Sequence, residues 1–358
     1  MAVNPQGGSS MTSSSHPGHA TRLRPVLAGP APFEGYLFQD APQNIYWEVT
    51  RACDLVCRHC RADAQVDRHP HELTHEEGRR LLDDIAGMGS LLIFTGGDPL
   101  KRPDLFDLMA YARERRIPFG ITPSTTPLLT REVLARFKSL GVMALGLSLD
   151  APTAEVHDAF RGWSGAFDRA LEVLHWAGEV GIPVQINTTV TARNIHLIPD
   201  MLEVLRPFSP PIRRWSLFVL IPVGRGVTLG LPQGDDLDRL FSWADATRRK
   251  RLRSIGAGIR DGNGVIFVSH TGDVYPSGFL PLRAGNVREA PLSEIYRTSP
   301  LLQTLRNPDL LEGRCGRCLY RYLCGGSRAR AWGLSGNMMG EEPLCTVFQP
   351  DPARIKTG

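Results

Sequence analysis

This chain of 358 residues lacks several things, and each absence narrows what it can be. No apolar run approaches the ~18 residues that a membrane-crossing helix needs. The longest runs, such as Trp215 to Val223, are strand-sized, so no membrane partner is expected. No secretory leader is visible either, because the opening stretch has no apolar core segment. Acidic residues are absent before Glu34, and the Ser-, Pro-, Gly- and His-rich residues 1–40 show no apolar period, which reads as a disordered tail. Neither charge dominates. Lys and Arg number 41 against 37 Asp and Glu, and the net +4 is spread along the chain, which does not argue for nucleic acid. Solenoid-type repeats are missing, and so is an even cysteine count.

What is present begins with a 42% hydrophobic fraction, enough for one large domain and a small one. The seven cysteines fall into two groups: Cys53, Cys57 and Cys60, then Cys315, Cys318, Cys324 and Cys345. An odd total grouped in this way argues for metal clusters in a reducing cytoplasm rather than disulfides. The spacing Cys53-x3-Cys57-x2-Cys60 puts three thiolates in one loop and leaves one ligand position open, as a reactive metal site does. A structural zinc site is the alternative, but His59 is awkwardly placed as its fourth ligand. The spacing Cys315-x2-Cys318-x5-Cys324-x20-Cys345 completes a closed site, for a [4Fe–4S] cluster or for zinc.

Strand and helix signals alternate from Ile45 onward. Strands are expected at 45–50, 91–94, 118–121, 143–149, 184–190 and 214–221. Helices are expected at 104–114, 131–140, 166–180 and 197–205, with Leu171, Leu174, His175 and Gly178 sharing a side of the third. Repeated βα units predict a parallel sheet covered by helices, here a partial (β/α)6 TIM-like barrel. Its chemistry should lie at the C-terminal strand ends, where the first cysteine loop falls. A polar helix at 235–252 leads out of the barrel. A hairpin follows at 264–269 and 273–275, then short helices near 292–296 and 301–305.

The cysteine triad after strand one resembles the signature of the radical S-adenosylmethionine (radical SAM) superfamily. Thr95-Gly96-Gly97-Asp98-Pro99, about forty residues on at the end of strand two, resembles the family's Gly-Gly-Glu-Pro motif, with Asp98 in place of the commoner Glu. Glycines also let the main chain approach a ligand closely. The resemblance implies a [4Fe–4S] cluster on Cys53, Cys57 and Cys60, with S-adenosylmethionine on the open iron. It implies reductive cleavage to a 5′-deoxyadenosyl radical and hydrogen abstraction from a substrate, hence a radical SAM oxidoreductase. By the same resemblance His59 packs on the adenine, Gly96, Gly97 and Asp98 meet the methionine amino group, and Ser148 and Arg161 hold the carboxylate. Asn187 lies near the ribose, and residues 221–223 near the adenine. Ser124, Thr125 and Thr188 are equally well read as strand-end polar groups that satisfy backbone.

The second cysteine group resembles the SPASM/twitch domain of these enzymes, which makes the C-terminal region a small α+β iron–sulfur domain. One auxiliary [4Fe–4S] cluster is implied rather than two. Ser277, Ser327 and Arg328 stand where the full pattern would supply further ligands. That cluster would accept or relay an electron, bind substrate, or hold the domain together. The implied boundaries are 1–40 tail, 41–230 barrel, 231–258 linking helix, 259–348 auxiliary domain and 349–358 tail.

Cys324-Gly325-Gly326-Ser327-Arg328-Ala329-Arg330 resembles a run in the radical SAM enzymes that make heme and heme d1. With it, Arg328 and Arg330 are expected to neutralise tetrapyrrole propionates by bidentate pairing. Arg51, Arg58 and Arg61 beside the first loop add to that reading. The same arginines would equally suit a domain interface. The competing substrate is a ribosomal peptide or protein side chain; maturases of that kind often carry a peptide-binding domain ahead of the barrel, and residues 1–40 look too short and polar for one. A non-enzymatic zinc or redox-sensing protein is the reading from another class. An electron donor such as flavodoxin or ferredoxin is the expected partner.

Overall fold

The computed structural model describes residues 37–251, 260–346 and 350. The expected tails and Leu252 at the end of the polar helix lie largely or wholly outside the described residues. Strands β1 (Asn44–Thr50), β2 (Leu91–Gly96), β3 (Phe119–Ile121), β4 (Leu145–Ser148), β5 (Val184–Val190) and β6 (Ile212–Val219) pair in that order, each parallel to the next. Helices α1 (His75–Ala86), α2 (Leu105–Glu114), α3 (Arg131–Leu140), α4 (Ala154–Arg161), α5 (Ala166–Val180) and α6 (Ile198–Leu205) run between them. β1 and β6 are not paired, so the barrel is open.

Alternation along each strand sets its two faces. Ile45, Trp47 and Val49 are fully buried in the core, while Tyr46 on the opposite face lines a cavity. In β5, Val184, Ile186 and Val190 are buried, and Asn187 and Thr189 face that cavity. The strand interiors are therefore apolar on the helix side and polar on the concave side, as a barrel with a functional mouth requires.

After β6, helix α7 (Gly234–Arg251) leads to β7 (Arg260–Asp261), β8 (Gly264–Val268), β9 (Asp273–Tyr275) and β10 (Gly285–Asn286). β8 pairs parallel with β1, and β9 and β10 add antiparallel strands beyond it, so one sheet continues from the barrel into the C-terminal region. Helices α8 (Leu292–Thr298), α9 (Pro300–Arg306), α10 (Gly313–Gly316) and α11 (Arg328–Ser335) complete the described chain. Among the described residues no helix is long and apolar enough to cross a membrane.

Two local expectations need correction. The buried stripe of α5 is Ala166, Phe167, Ala170, Val173, Leu174 and Ala177, whereas His175 and Gly178 point to solvent. The face was read about one position out of register, and the helix meets its neighbours through small residues as well as large ones. β6 ends at Val219 rather than Ile221, because Val223 N–H turns back onto the Ile221 carbonyl at 2.9 Å.

Candidate active site

The loop that follows β1 is fixed by partners from three other segments. The backbone N–H groups of Gly97 and Asp98 donate to the carbonyls of Thr50 (2.9 Å) and Ala52 (2.6 Å). Buried Glu72 accepts from the Thr50 hydroxyl (2.6 Å) and Arg51 N–H (3.2 Å). Arg225 donates to the carbonyls of Cys57 (2.9 Å) and Ala64 (3.1 Å), and its own N–H donates to the Cys60 carbonyl (3.0 Å). A Cβ on Gly96 would sit 2.5 Å from the Thr50 oxygen, and one on Gly97 2.4 Å from that of Ala52. The two glycines are therefore required by the cysteine loop itself, and close approach of a ligand is a secondary consequence.

Cys53 and Cys57 are buried and Cys60 is half-buried, and all three line the cavity. N–H groups of Leu55 and Ala64 reach the sulfurs of Cys53 and Cys60, each at 3.4 Å. The Ser124 hydroxyl lies 3.5 Å from Cys53 Sγ and donates to the Gly97 carbonyl at 2.9 Å. Burial pushes the Cys53 thiol up to about 11 and raises Cys57 as well. Buried thiols of this kind are unreactive until a cationic group occupies the space between them.

Arg161 closes the back of the loop. Its Nη1 lies 3.8 Å from Cys57 Sγ and its Nη2 donates to Asp150 Oδ2 at 2.5 Å. Burial opposes the guanidinium charge, but Asp150 and Cys57 outweigh it and hold Arg161 charged. Arg161 is therefore not an unengaged cation awaiting a carboxylate; only its Nε lacks a partner. Asp150, 1% exposed, also accepts from Thr189 N–H at 2.8 Å, a structural role that sequence reading did not assign.

His59 stacks on Phe160, with ring centroids 4.5 Å apart and planes 13° from parallel. Burial first, and Arg161 next, hold it well below the ordinary imidazole range, so the ring is neutral, and its Nδ1 has no partner among the described residues. A flat neutral ring with one unsatisfied nitrogen on a cavity wall suits a nucleobase. Ser148, Asn187, Thr125 and Ile221 also line this cavity. Asn187 Oδ1 accepts from Gln185 at 2.8 Å.

The Asp98 side chain is engaged within the protein, while the role expected of this motif belongs to its backbone. Asp98 is fully buried, and its carboxylate accepts from Leu100 N–H (3.2 Å), Ser124 N–H (3.4 Å) and the Thr126 hydroxyl (2.7 Å). It ties the end of β2 to the loop after β3. Thr188 is fully buried too, bridging the Leu149 carbonyl (2.6 Å) and Trp215 Nε1 (2.8 Å).

The second cysteine group opens on the same cavity, about 1070 Å³ in volume. Cys315 Sγ accepts from Glu342 N–H (3.2 Å) and Arg328 Nη2 (3.6 Å), and Cys324 Sγ from Gly326 N–H (3.4 Å). Gly325 and Gly326 both have φ of +66°, and a Cβ on Gly326 would meet Arg328 at 2.7 Å. That run of glycines lets the chain turn tightly over the thiols.

The two arginines expected at a substrate are placed otherwise. Arg328 is fully buried, and its Nη1 donates to the carbonyls of Met338 (3.0 Å) and Gly340 (2.5 Å). Arg330 lines the cavity but is held by Glu342 at 2.8 Å and donates to the Val219 carbonyl at 3.2 Å. It joins α11 to the end of β6, the interface role that was its alternative. Ser327, which stands at an expected ligand position, caps α11 by accepting from Arg330 N–H at 3.1 Å. Arg260 was not anticipated. Burial, with Arg328 next, lowers it to about 10, so it stays charged at neutral pH. Arg61 reaches Glu48 at 3.1 Å and lies 4.3 Å over the Phe267 ring, and Glu48 also binds His270 at 2.7 Å.

The donor sets fit iron–sulfur clusters. Among the described residues no three of His, Cys, Asp or Glu sit closely enough for a single metal ion. A lone zinc with Zn–S bonds of ~2.3 Å draws its sulfurs within about 4 Å of one another, whereas a cubane spreads them wider. Three thiols facing a cavity leave room for a further ligand, and four complete a closed site.

The radical SAM superfamily model matches residues 47–205, and the model of an iron–sulfur cluster-binding domain (SPASM) matches residues 260–319. An AdoMet-dependent heme synthase of Nitratidesulfovibrio vulgaris is 36% identical, over 84% of this chain and 91% of its own length. The mycofactocin maturase MftC of Mycobacterium tuberculosis is 30% identical, over 88% of this chain and 85% of its own. In fold, the chain is similar to Streptococcus suis SuiB bound to S-adenosylmethionine, with a TM-score of 0.70 at 18% identity, over 86% of this chain and 78% of the other. The open parallel barrel, the cysteine loop at its mouth and these likenesses have one reading: the chain belongs to the radical SAM superfamily and carries a SPASM iron–sulfur domain, and with them a SAM-binding [4Fe–4S] cluster and an auxiliary cluster.

Proposed function

We propose that this enzyme oxidatively decarboxylates propionate side chains of an iron-bound tetrapyrrole, a step of heme biosynthesis. The observation that carries the substrate is the likeness to a heme synthase along most of both chains. The cavity supports it, because its walls include Phe218, Phe241, Phe267, Phe279 and Leu323, broad apolar surfaces that suit a flat macrocycle.

In this reading Cys53, Cys57 and Cys60 hold the first cluster, and Cys315, Cys318, Cys324 and Cys345 the second. When bound, the first cluster supplies the electron that cleaves S-adenosylmethionine to the 5′-deoxyadenosyl radical. His59, braced by Phe160, presents a neutral face to the adenine. Ser148 orients the amino acid end and Asn187 the nucleoside end from the strand tips, and the carbonyls near Gly96 and Gly97 meet the amino group. Arg161 orients the carboxylate side while staying anchored to Asp150. For the substrate's own carboxylates Arg314 is the best-placed guanidinium. It lines the cavity, and among the described residues its guanidinium is held only by Glu341 at 3.3 Å, across a solvent-exposed pair that is easily exchanged. A flavodoxin or ferredoxin is the proposed electron donor.

The test is anaerobic incubation of iron-reconstituted, reduced enzyme with S-adenosylmethionine and iron-coproporphyrin III. Loss of carboxyl mass together with 5′-deoxyadenosine is expected. Steady 5′-deoxyadenosine formation with unchanged porphyrin mass would refute the substrate. The likeness to a mycofactocin maturase supports a second reading, modification of a peptide side chain. A mass change on a short peptide encoded beside this gene would establish that one instead.

A further inference from the structure

The two cysteine groups share a cavity, yet the buried charge around their sulfurs differs. Near the first group the guanidinium of Arg161 is matched by Asp150 at 2.5 Å. A second buried carboxylate, Asp98, sits behind Cys53, linked to it through Ser124. Arg61 is matched by Glu48, and Arg51 and Arg225 both lean on Asp63 at the exposed rim, where water and salt screen them.

Near the second group the balance is reversed. Arg328 is fully buried with its Nη2 3.6 Å from Cys315 Sγ, and its other contacts are uncharged carbonyls. Arg260 is 6% exposed and packs along Gly325, next to Cys324. One of its nitrogens donates to the Tyr322 carbonyl at 3.4 Å, while Nε and Nη2 have no partner. Neither arginine makes an ion pair among the described residues. Of the nearby acids, Glu342 holds Arg330, and Asp261, which accepts from Ala329 N–H at 2.9 Å, attracts Arg260 without forming an ion pair with it.

Burying a guanidinium without a counter-charge is strongly unfavourable unless a negative group completes the site. Four thiolates around an iron–sulfur core supply that negative charge. They also carry one more negative charge than three thiolates do, which alone would make the second cluster the harder to reduce. Fixed positive charge and N–H groups aimed at the sulfurs act in the opposite direction, because reduction adds an electron.

We propose that Arg260 and Arg328 are positioning residues for the second cysteine group, holding its cluster at a higher reduction potential than that of the first. A single electron lost by a substrate radical in the shared cavity then passes to the oxidised second cluster, reducing it by one. The inference rests on assigning the two cysteine groups to two clusters, and it holds whichever substrate is modified.

Redox titration of the anaerobically reconstituted full-length enzyme, followed by electron paramagnetic resonance, tests it without turnover. In the wild type the second cluster should be reduced at the less negative potential, its signal identified by its loss in Cys318→Ala. Arg260→Gln should lower the ratio of reduced to oxidised second cluster about tenfold at the wild-type midpoint, a shift of ~59 mV for one electron, with the first signal unmoved. Arg260→Lys, which keeps the charge, should restore most of the shift. The proposal is overturned if the second cluster titrates below the first, or if Gln and Lys variants titrate alike. Should Arg260→Gln lose its second cluster, the wild-type order and the Lys variant still decide the matter. Iron analysis showing only one cluster would instead refute the assignment beneath it.

Discussion

Replacing Asp150 by Asn tests whether the first cysteine loop depends on a neutralised guanidinium. The carboxylate is 1% exposed and meets Arg161 Nη2 at 2.5 Å. At an effective dielectric near 20 that separation corresponds to about 7 kcal/mol of attraction, much of it offset by desolvation of both ions. Asn keeps the shape and the acceptor for Thr189 N–H, but it leaves Arg161 buried beside Cys57 with its charge unmatched. Breaking one side of such a pair costs about 3–5 kcal/mol. Spread over a chain of this length, that is a fall of roughly 4–7 °C in apparent Tm. Arg161→Met should cost a similar amount. Removing both charges should recover at least about 2 kcal/mol of the summed loss, since neither ion is then stranded. Anaerobic thermal melts of the reconstituted wild type, both single variants and the double variant complete the cycle. If the two single losses simply add, Asp150 and Arg161 do not act as a pair, and the charge argument for the first loop fails.

Three further outcomes follow from the same geometry. Cys57→Ala should abolish 5′-deoxyadenosine formation, whereas Cys318→Ala should keep uncoupled formation while product falls; identical behaviour would contradict the division of labour between the two groups. Gly97→Ala puts a methyl group 2.4 Å from the Ala52 oxygen, so iron content should fall toward that of the second cluster alone. Arg288, which pairs with Glu77 at 2.7 Å, is the main reason that the Glu77 carboxyl lies at about 2. A carboxyl lowered by folding stabilises above its unfolded pKa, and that contribution is lost as pH falls from about 4.5 toward 2. The stability gap between wild type and Arg288→Gln, about 1 kcal/mol at neutral pH after solvent screening, should therefore close across that window in denaturant titrations.

Much of the barrel was legible in the residues themselves. Helix Ala166–Val180 and strand Val184–Val190 fall on their expected bounds, because Gly181 and Pro183 punctuate a change of period from 3.6 to 2. Helix His75–Ala86 was overlooked, although Thr74 and Glu77 form a capping box ahead of Leu81, Leu82 and Ile85, a local signal that was available. Other features had no local signal at all. The pairing of β8 with β1 joins segments about two hundred residues apart and follows from neither composition nor spacing. The same holds for Arg328 and Arg330. Two arginines two positions apart on a helix face different ways, and which carbonyls or acids they meet is decided by chain that folds in from elsewhere.

The open barrel explains why the two cysteine groups confront each other. Six parallel strands leave both edges, β1 and β6, without a neighbour, and unpaired edge groups must find partners. The C-terminal region takes up both positions. β8 hydrogen-bonds along β1 from Asn44 to Trp47, and His270 after it reaches Glu48 near the end of that strand. On the other side Arg330 donates to the carbonyls of Val219 and Leu220, where β6 stops. A segment fixed at both edges has to span the gap between them, and that gap lies beside the mouth where the first cysteine loop emerges. The Cys315–Cys345 segment is carried into the same cavity by those two attachments. The juxtaposition therefore depends on the edges: Glu342→Gln, which loosens Arg330 from its carboxylate partner, should weaken communication between the two clusters without touching any thiol. Slower reduction of the second cluster after mixing with S-adenosylmethionine and substrate, at unchanged iron content, is the expected result. An unchanged rate would mean that the β1–β8 seam alone sets the distance.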